Sequence, residues 1–332
     1  MKKHVNIPIF IPHLACPNGC TFCNQHVISA TRTSPDIQTT HKMIQEAIST
    51  VAKEQTCEIA FFGGSFTGIE VEQMCAYLEC ASHYRDCISG IRLSTRPDYI
   101  TPEILDILQR YPVKTIELGM QSMDERVLQR CKRGHLPMDT VRAAAWIRER
   151  GFSLVLQMMI GLPGDTLESA RQTARDAIAL KPDAVRIYPC VVLKDTELCR
   201  EFRMGAYQPM SLDDAVEQCA QLRLLFEEHD VSVIRMGLFS EAGLSGKDYV
   251  AGPYHPAFGE LVENACYYKK LSLALTGYEN RQTVTVFVAK GELSKVIGQK
   301  RRNVTRLKAE KNIAKILIKE DPFLEKRAIR VE

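Results

Sequence analysis

Apolar and polar positions alternate in blocks along most of this chain. The runs CEIAFFG (57–63), GIRLST (90–95), VKTIELGM (113–120), FSLVLQMMIG (152–161) and AVRIYP (184–189) are largely apolar, the pattern of strands covered on both faces. Between them stand TPEILDILQR (101–110), MDTVRAAAWIRER (138–150) and TLESARQTARDAIAL (166–180), whose helical periodicity predicts amphipathic helices. With a first strand at roughly residues 5–11, six βα units reach to about residue 205. An α/β fold with a parallel sheet follows, and six units suit a partial (β/α)6 barrel better than a closed eightfold one. Several strands end in punctuation: Gly63-Gly64, Arg96-Pro97, Gly161-Leu162-Pro163-Gly164 and Pro189. Loops after parallel strands are where such folds place their sites.

The pattern then changes. A helix near 212–229 and the strand-like VSVIRMGL (231–238) precede EAGLSGKDYVAGPYHPAFGELV (241–262), whose Gly, Pro and aromatic content reads as an ordered loop leading into a helix. Residues 283–320, TVTVFVAKGELSKVIGQKRRNVTRLKAEKNIAKILIKE, read as strand, helix, short loop, helix, strand. The expected division is a barrel over 1–240, a connecting and covering segment over 241–280, and a small C-terminal α+β domain over 281–332.

Composition changes this picture in one respect. With 332 residues, 45% apolar and 25% charged, the chain can bury a large core. Its net charge of +3 hides an asymmetry: residues from 281 onward carry 14 Lys and Arg against 6 Asp and Glu, a net of +8, while the first 280 sum to −5. A basic tail points to an anionic partner. Twelve cysteines in a chain of this length suggest reduced thiols in a cytoplasmic protein, because secreted disulfide domains are short and cysteine-dense. The opening MKKHVNIPIFIPHLAC faintly resembles a lipoprotein signal, but Asn6, Pro8, Pro12 and His13 break its apolar run. No run approaches the roughly 18 apolar residues of a membrane span, so no membrane partner is expected.

Candidate chemistry lies in CPNGCTFCNQ (16–25), behind the first strand. Cys16, Cys20 and Cys23 have CxxxCxxC spacing. A structural zinc site would want four ligands, and none at suitable spacing completes this set. Three thiolates suit a [4Fe–4S] cluster with one iron left for an exogenous ligand. The other nine cysteines are expected to be core or surface thiols. Taken singly, Gly63-Gly64 and GLPG read as tight turns, and Arg96 as a strand-end salt bridge or a site residue.

Four further stretches, FFGGSF (61–66), IELGMQSMDERVLQRCKRGH (116–135), MMIGLPGDT (158–166) and VRIYPCVVLKDTEL (185–198), join the cysteines in order. Over roughly residues 5–240 the chain resembles the radical S-adenosylmethionine (SAM) superfamily, in particular the radical SAM part of the Elongator catalytic subunit and its shorter bacterial relatives. The resemblance implies that Cys16, Cys20 and Cys23 hold the cluster. SAM would chelate its open iron, and electron transfer would cleave the sulfonium to a 5′-deoxyadenosyl radical, with a donor such as flavodoxin or ferredoxin. It further implies that Phe22 packs near the adenine and that the backbone at Phe62, Gly63, Gly64 and Ser65 receives the methionyl ammonium. Ser65 stands where many members carry Glu, so main chain would do the binding. Gln121 would contact the ribose, Arg133 the methionyl carboxylate, and Ile160 and Gly161 the adenine edge. Met158 and Met159 replace an acidic residue of some relatives, which leaves part of ribose recognition unassigned. Tyr188, Tyr254 and His255 are candidate substrate contacts, the last two from a loop that either covers the mouth or packs.

In the tail, VIGQKRRNVTRL resembles the KH nucleic-acid-binding module, in which a GXXG loop between two helices lets backbone approach phosphates. Gly298-Gln299-Lys300-Arg301 carries arginine in place of the second glycine. Gly298, Lys300, Arg301 and Arg302 are therefore the candidate RNA contacts, with tRNA the expected substrate. The Elongator subunit carries an acetyltransferase domain after its radical SAM part, whereas about 90 residues follow the similar region here. The chemistry is thus expected to run by another route, with a partner's acyl donor, or on another substrate. Two rivals stay open: an enzyme acting on a small metabolite or porphyrin, as in the coproporphyrinogen-oxidase-like branch, and a noncatalytic RNA-binding metalloprotein.

Overall fold

The computed structural model describes residues 4–11, 19–24, 33–52, 54–238 and 248–332. Strands β1 (His4–Ile11), β2 (Thr56–Gly63), β3 (Gly90–Thr95), β4 (Val113–Gln121), β5 (Ser153–Ile160) and β6 (Ala184–Pro189) lie side by side in sequence order, each parallel to the next. After a two-residue β7 (Val192–Leu193), β8 (Ser232–Met236) pairs parallel to β6 and extends the sheet to seven strands, one more than the expected six units. β7 leaves the sheet to pair antiparallel with β9 (Tyr249–Ala251), and the helix Leu212–Glu228 carries the chain back to the β6 edge.

Alternation within the strands explains the curl. Ile7, Ile9, Ile59, Phe61, Ile91, Leu93, Ile116, Leu118, Leu154, Leu156, Val185 and Ile187 are buried in the main core. Their neighbours in sequence, including Asn6, Phe62, Arg92, Glu117, Gln157 and Arg186, line a single cavity on the other face, joined there by Ile234 of β8. Residues from all seven strands surround that cavity, so the sheet curls into a partial barrel. Local signals set the helix starts: Thr39 N–H donates to Asp36 Oδ1 at 2.7 Å, and Ile104 N–H to the Thr101 hydroxyl just ahead of Pro102. Each such cap is worth about 1 kcal/mol. The small stripe Ala170, Thr173, Ala174 and Ala177 is the buried face of the helix Leu167–Ala179.

The helix Phe258–Ala274 joins two cores. Phe258, Val262 and Cys266 belong to the barrel's, and Tyr267 and Leu271 to a second one built with Val284, Val286, Val296, Val304, Leu307 and Ile316. The latter covers a three-stranded sheet in which β10 (Thr283–Ala289) pairs parallel with β11 (Lys315–Asp321) and antiparallel with β12 (Ile329–Val331). Helices Leu293–Ile297 and Arg302–Glu310 form the crossover between β10 and β11, and β12 is a strand beyond the expected βααβ order. Arg327 ties this unit to the barrel by ion pairs to Glu227 and Glu263, each at 2.6 Å. No helix among the described residues is long and apolar enough to cross a membrane.

Candidate active site at the barrel mouth

The cavity inside the barrel measures about 670 Å³. At its rim, Cys20 is buried and Cys23 half-buried, and Cys23 N–H donates to Cys20 O at 3.0 Å in a tight turn. Thr21 fastens this turn in both directions: its N–H donates to Cys131 O at 3.0 Å, and its carbonyl accepts from Leu198 N–H at 2.8 Å. Cys16 lies outside the described residues. Arg133 reaches the same point, with Nη1 3.6 Å from Cys20 Sγ and Nη2 donating to Gly119 O at 2.8 Å. Arg96, 1% exposed, is clamped by Asp98 at 2.9 and 2.7 Å and donates to Arg133 O at 2.6 Å. It does not line the cavity, so it is a salt-bridged strand-end arginine that positions the segment carrying Arg133.

Phe62, Gly63, Gly64 and Ser65 line the cavity where β2 ends. Gly63 has φ +111°, and a Cβ there would meet the backbone oxygen of Ile11 at 3.1 Å, so glycine permits both the turn and the close approach. Gly64 N–H donates to that same oxygen at 3.0 Å. Phe62 lies beside Phe10, ring centroids 6.3 Å apart. Gln121, 5% exposed, ends β4 at φ +64° after a break in register, and its Oε1 accepts from Gln157 Nε2 at 3.1 Å. A left-handed non-glycine backbone costs about 1 kcal/mol or more and concentrates at functional sites.

Phe22, Arg133 and Tyr188 also line the cavity. The Tyr188 hydroxyl accepts from Arg186 Nη1 at 3.2 Å, and burial raises its pKa, keeping it protonated. Ile160 is fully buried in the core. Gly161 lies on a separate cavity outside the barrel, with its N–H donating to Asp165 at 3.0 Å and its carbonyl accepting from the Tyr207 hydroxyl at 2.6 Å. Tyr254 and His255 do not line the barrel cavity: Tyr254 packs with Val191, Leu193 and Tyr249, and His255 Nδ1 accepts from Ala257 N–H at 3.0 Å. Gly298, Lys300, Arg301 and Arg302 belong to the tail hairpin.

Sequence reasoning missed five polar residues on the inner wall: Glu58, Arg92, Glu117, Gln157 and Arg186. Four of them line the cavity, and Glu58 pairs with the lining Arg92 at 3.1 Å. Their signal was parity, since 58, 117 and 186 stand at even spacing from Phe62, Gln121 and Tyr188 and so share their face.

Two soft thiols beside a buried guanidinium, with glycine backbone at the strand end, fit an iron–sulfur cluster and a small zwitterionic cosubstrate. Other buried thiols are held out of this chemistry. Burial pushes Cys190 up to about 12 and Cys131 higher still, so both stay protonated. No disulfide occurs among the described cysteines.

The Radical SAM superfamily model matches residues 10–177, and the Radical_SAM C-terminal domain model matches residues 182–268. The chain belongs to the radical SAM superfamily. Like other radical SAM proteins, it uses a [4Fe–4S] cluster and S-adenosylmethionine. It is 32% identical over 142 residues to a tRNA uridine(34) acetyltransferase of Methanocaldococcus jannaschii, a match covering 42% of this chain and 26% of that protein. The chain thus spans about a quarter of that relative's length. An uncharacterized protein of the same organism is 30% identical over 220 residues, 63% of this chain and 68% of its own. Among solved structures, Elp3 of Methanocaldococcus infernus superposes with a TM-score of 0.63 at 20% identity, over 82% of this chain and 64% of that one. This radical SAM chain therefore shares its fold with Elp3.

Proposed function

We propose that this radical SAM enzyme modifies RNA, with tRNA as the substrate, and that its C-terminal unit is a KH-like RNA-binding module. The observation that carries the reading is the tail hairpin. Gly298 (φ +76°), Lys300 (φ +51°) and Arg301 (φ +61°) make a tight left-handed connection between two helices, with Lys300, Arg301 and Arg302 exposed. Buried Asn303 fastens it, donating from Nδ2 to Val296 O at 3.1 Å and to Asn264 O at 2.8 Å. Three adjacent cations on a unit of net charge +8 suit phosphate contact. The similarity to tRNA uridine(34) acetyltransferases supports the same substrate class.

In this reading Cys16, Cys20 and Cys23 hold the cluster. When bound, the cluster and SAM supply a 5′-deoxyadenosyl radical that abstracts hydrogen from the substrate. Phe22, Phe62, Gly63, Gly64, Ser65, Gln121 and Arg133 seat SAM at the rim, and the barrel wall keeps water and stray reductants away. A low-potential protein such as flavodoxin or ferredoxin delivers the electron.

The test is anaerobic reconstitution and reduction with dithionite, followed by assay of 5′-deoxyadenosine with and without bulk tRNA, beside Cys20→Ala. Cysteine-dependent product that rises with tRNA is the expected result. Cysteine-dependent product indifferent to tRNA would retire the RNA reading and direct the search to small metabolites and porphyrins.

A further inference from the structure

Below the rim, the barrel cavity carries a polar wall that neither the cluster nor SAM explains. Glu117 lies four residues before Gln121 on β4, and Arg186 three before Pro189 on β6. At roughly 3.3 Å per residue that is about 10–13 Å beneath the strand ends. The pair reaches across β5: Arg186 Nε stands 3.1 Å from Glu117 Oε2, with the Glu117 side chain 3% and the Arg186 side chain 12% exposed. Close as they are, both atoms are buried without an aligned hydrogen bond. The same holds for Arg92 Nε, 3.1 Å from Glu58 Oε2 on the adjoining part of the wall. Two buried ion pairs, Glu117–Arg186 and Glu58–Arg92, thus stand on or directly behind the wall of one cavity.

The wall's chemistry defines the ligand. Ionised carboxylate only accepts and guanidinium only donates, so Glu117 beside Arg186 complements a group with an N–H next to an acceptor. Aromatic faces frame this edge. The Arg186 guanidinium lies 5.5 Å from the Phe62 ring centroid, and Phe10, Phe62 and Tyr188 line the same cavity. The amide of Gln157 adds a polar group on the intervening strand. Stacking surfaces beside an edge-reading donor and acceptor are what an extruded base requires.

Resting on the RNA reading above, we propose that Glu117 and Arg186 are specificity-determining residues that read the hydrogen-bonding edge of a nucleobase of the substrate RNA, extruded into the barrel and stacked against Phe62 and Tyr188. They act on the substrate, and the SAM-binding rim lies above them.

The experiment compares wild type, Glu117→Gln and Arg186→Lys in the reconstituted full chain. It reads the ratio of 5′-deoxyadenosine formed with and without bulk tRNA, the cluster absorbance, and tRNA affinity by filter binding without reductant. Hydrogen bonds to charged groups are worth about 1.5–3 kcal/mol, so the tRNA-stimulated increment should fall about tenfold or more in each variant and the ratio should approach 1. Filter-binding affinity should change less than twofold, because the tail hairpin contacts the RNA independently of the wall. A ratio equal to wild type overturns the assignment while the RNA reading stands. Loss of cluster absorbance in both variants makes the pair structural, which also overturns it. If wild type ignores tRNA, the RNA reading falls and takes this assignment with it.

Discussion

His135 shows how a single buried residue ties the site to pH. It is 3% exposed and two residues from Arg133. Burial, and after it the Arg133 charge, pulls its pKa from 6.5 down to about 4. A base depressed in the folded state takes up more protons when unfolded. Its stability contribution is therefore fully present above about pH 6.5 and is lost as pH falls through about 4. Between pH 7 and 5 the loss should be about 2 kcal/mol, at 1.36 kcal/mol per pH unit below the unfolded pKa. Urea unfolding at both pH values, on wild type and His135→Asn, checks this. The variant should lose distinctly less, and parallel losses would place the proton uptake elsewhere. At this scale the spacing of Cys20 and Cys23 was visible in the sequence, and the structure places both at the cavity rim. The sequence was opaque at Glu117 and Arg186, because a charged residue inside a strand reads as an outward face until the sheet is known to curl.

Among the elements, the tail hairpin depends on one polar anchor. Gly298 is held so close to Asn303 that a Cβ would meet the Asn303 side chain at 2.9 Å. Asn303 in turn bridges Val296 and the helix Phe258–Ala274 through Asn264. Asn303→Ala removes both hydrogen bonds and leaves the Val296 carbonyl at the helix end short of a donor, a cost of about 2 kcal/mol. The expected result is a lower melting temperature and tRNA affinity weakened at least as much as by Lys300→Ala alone, both on the full chain. Unchanged affinity would show that the loop conformation does not matter for binding. The order strand, helix, loop, helix, strand was legible from periodicity and from Gly298. β12 was not, because IRV (329–331) is too short to show a period, and it is a strand by pairing with β10.

At the scale of the whole molecule, Arg327 adds ion pairs to the junction that the helix Phe258–Ala274 makes between the two cores. It is 18% exposed, pairs with Glu227 and Glu263, and stands in a network that includes Arg223, 2.8 Å from Glu263, and Lys270 on Glu227. Arg327→Met leaves both carboxylates underpaired at the junction, costing about 3 kcal/mol after allowance for its partial exposure. Hydrogen exchange should then accelerate in β10–β12 while β2–β5 keep their protection, and tRNA-stimulated cleavage of SAM should drop. Unaltered exchange in the tail would mean that the shared helix Phe258–Ala274 holds the units together without the ion pairs. The sequence by itself determined the βα alternation, the cysteine spacing at the first strand's end and the basic tail, because periodicity, ligand spacing and charge are local properties of a chain. Only the tertiary structure decided that β8 extends the sheet to seven strands, that Arg133 reaches Cys20, that Tyr254 packs, and that Glu117 meets Arg186 inside the barrel. Each of these depends on the curl of the sheet and on contacts between residues distant in sequence, which no local pattern encodes.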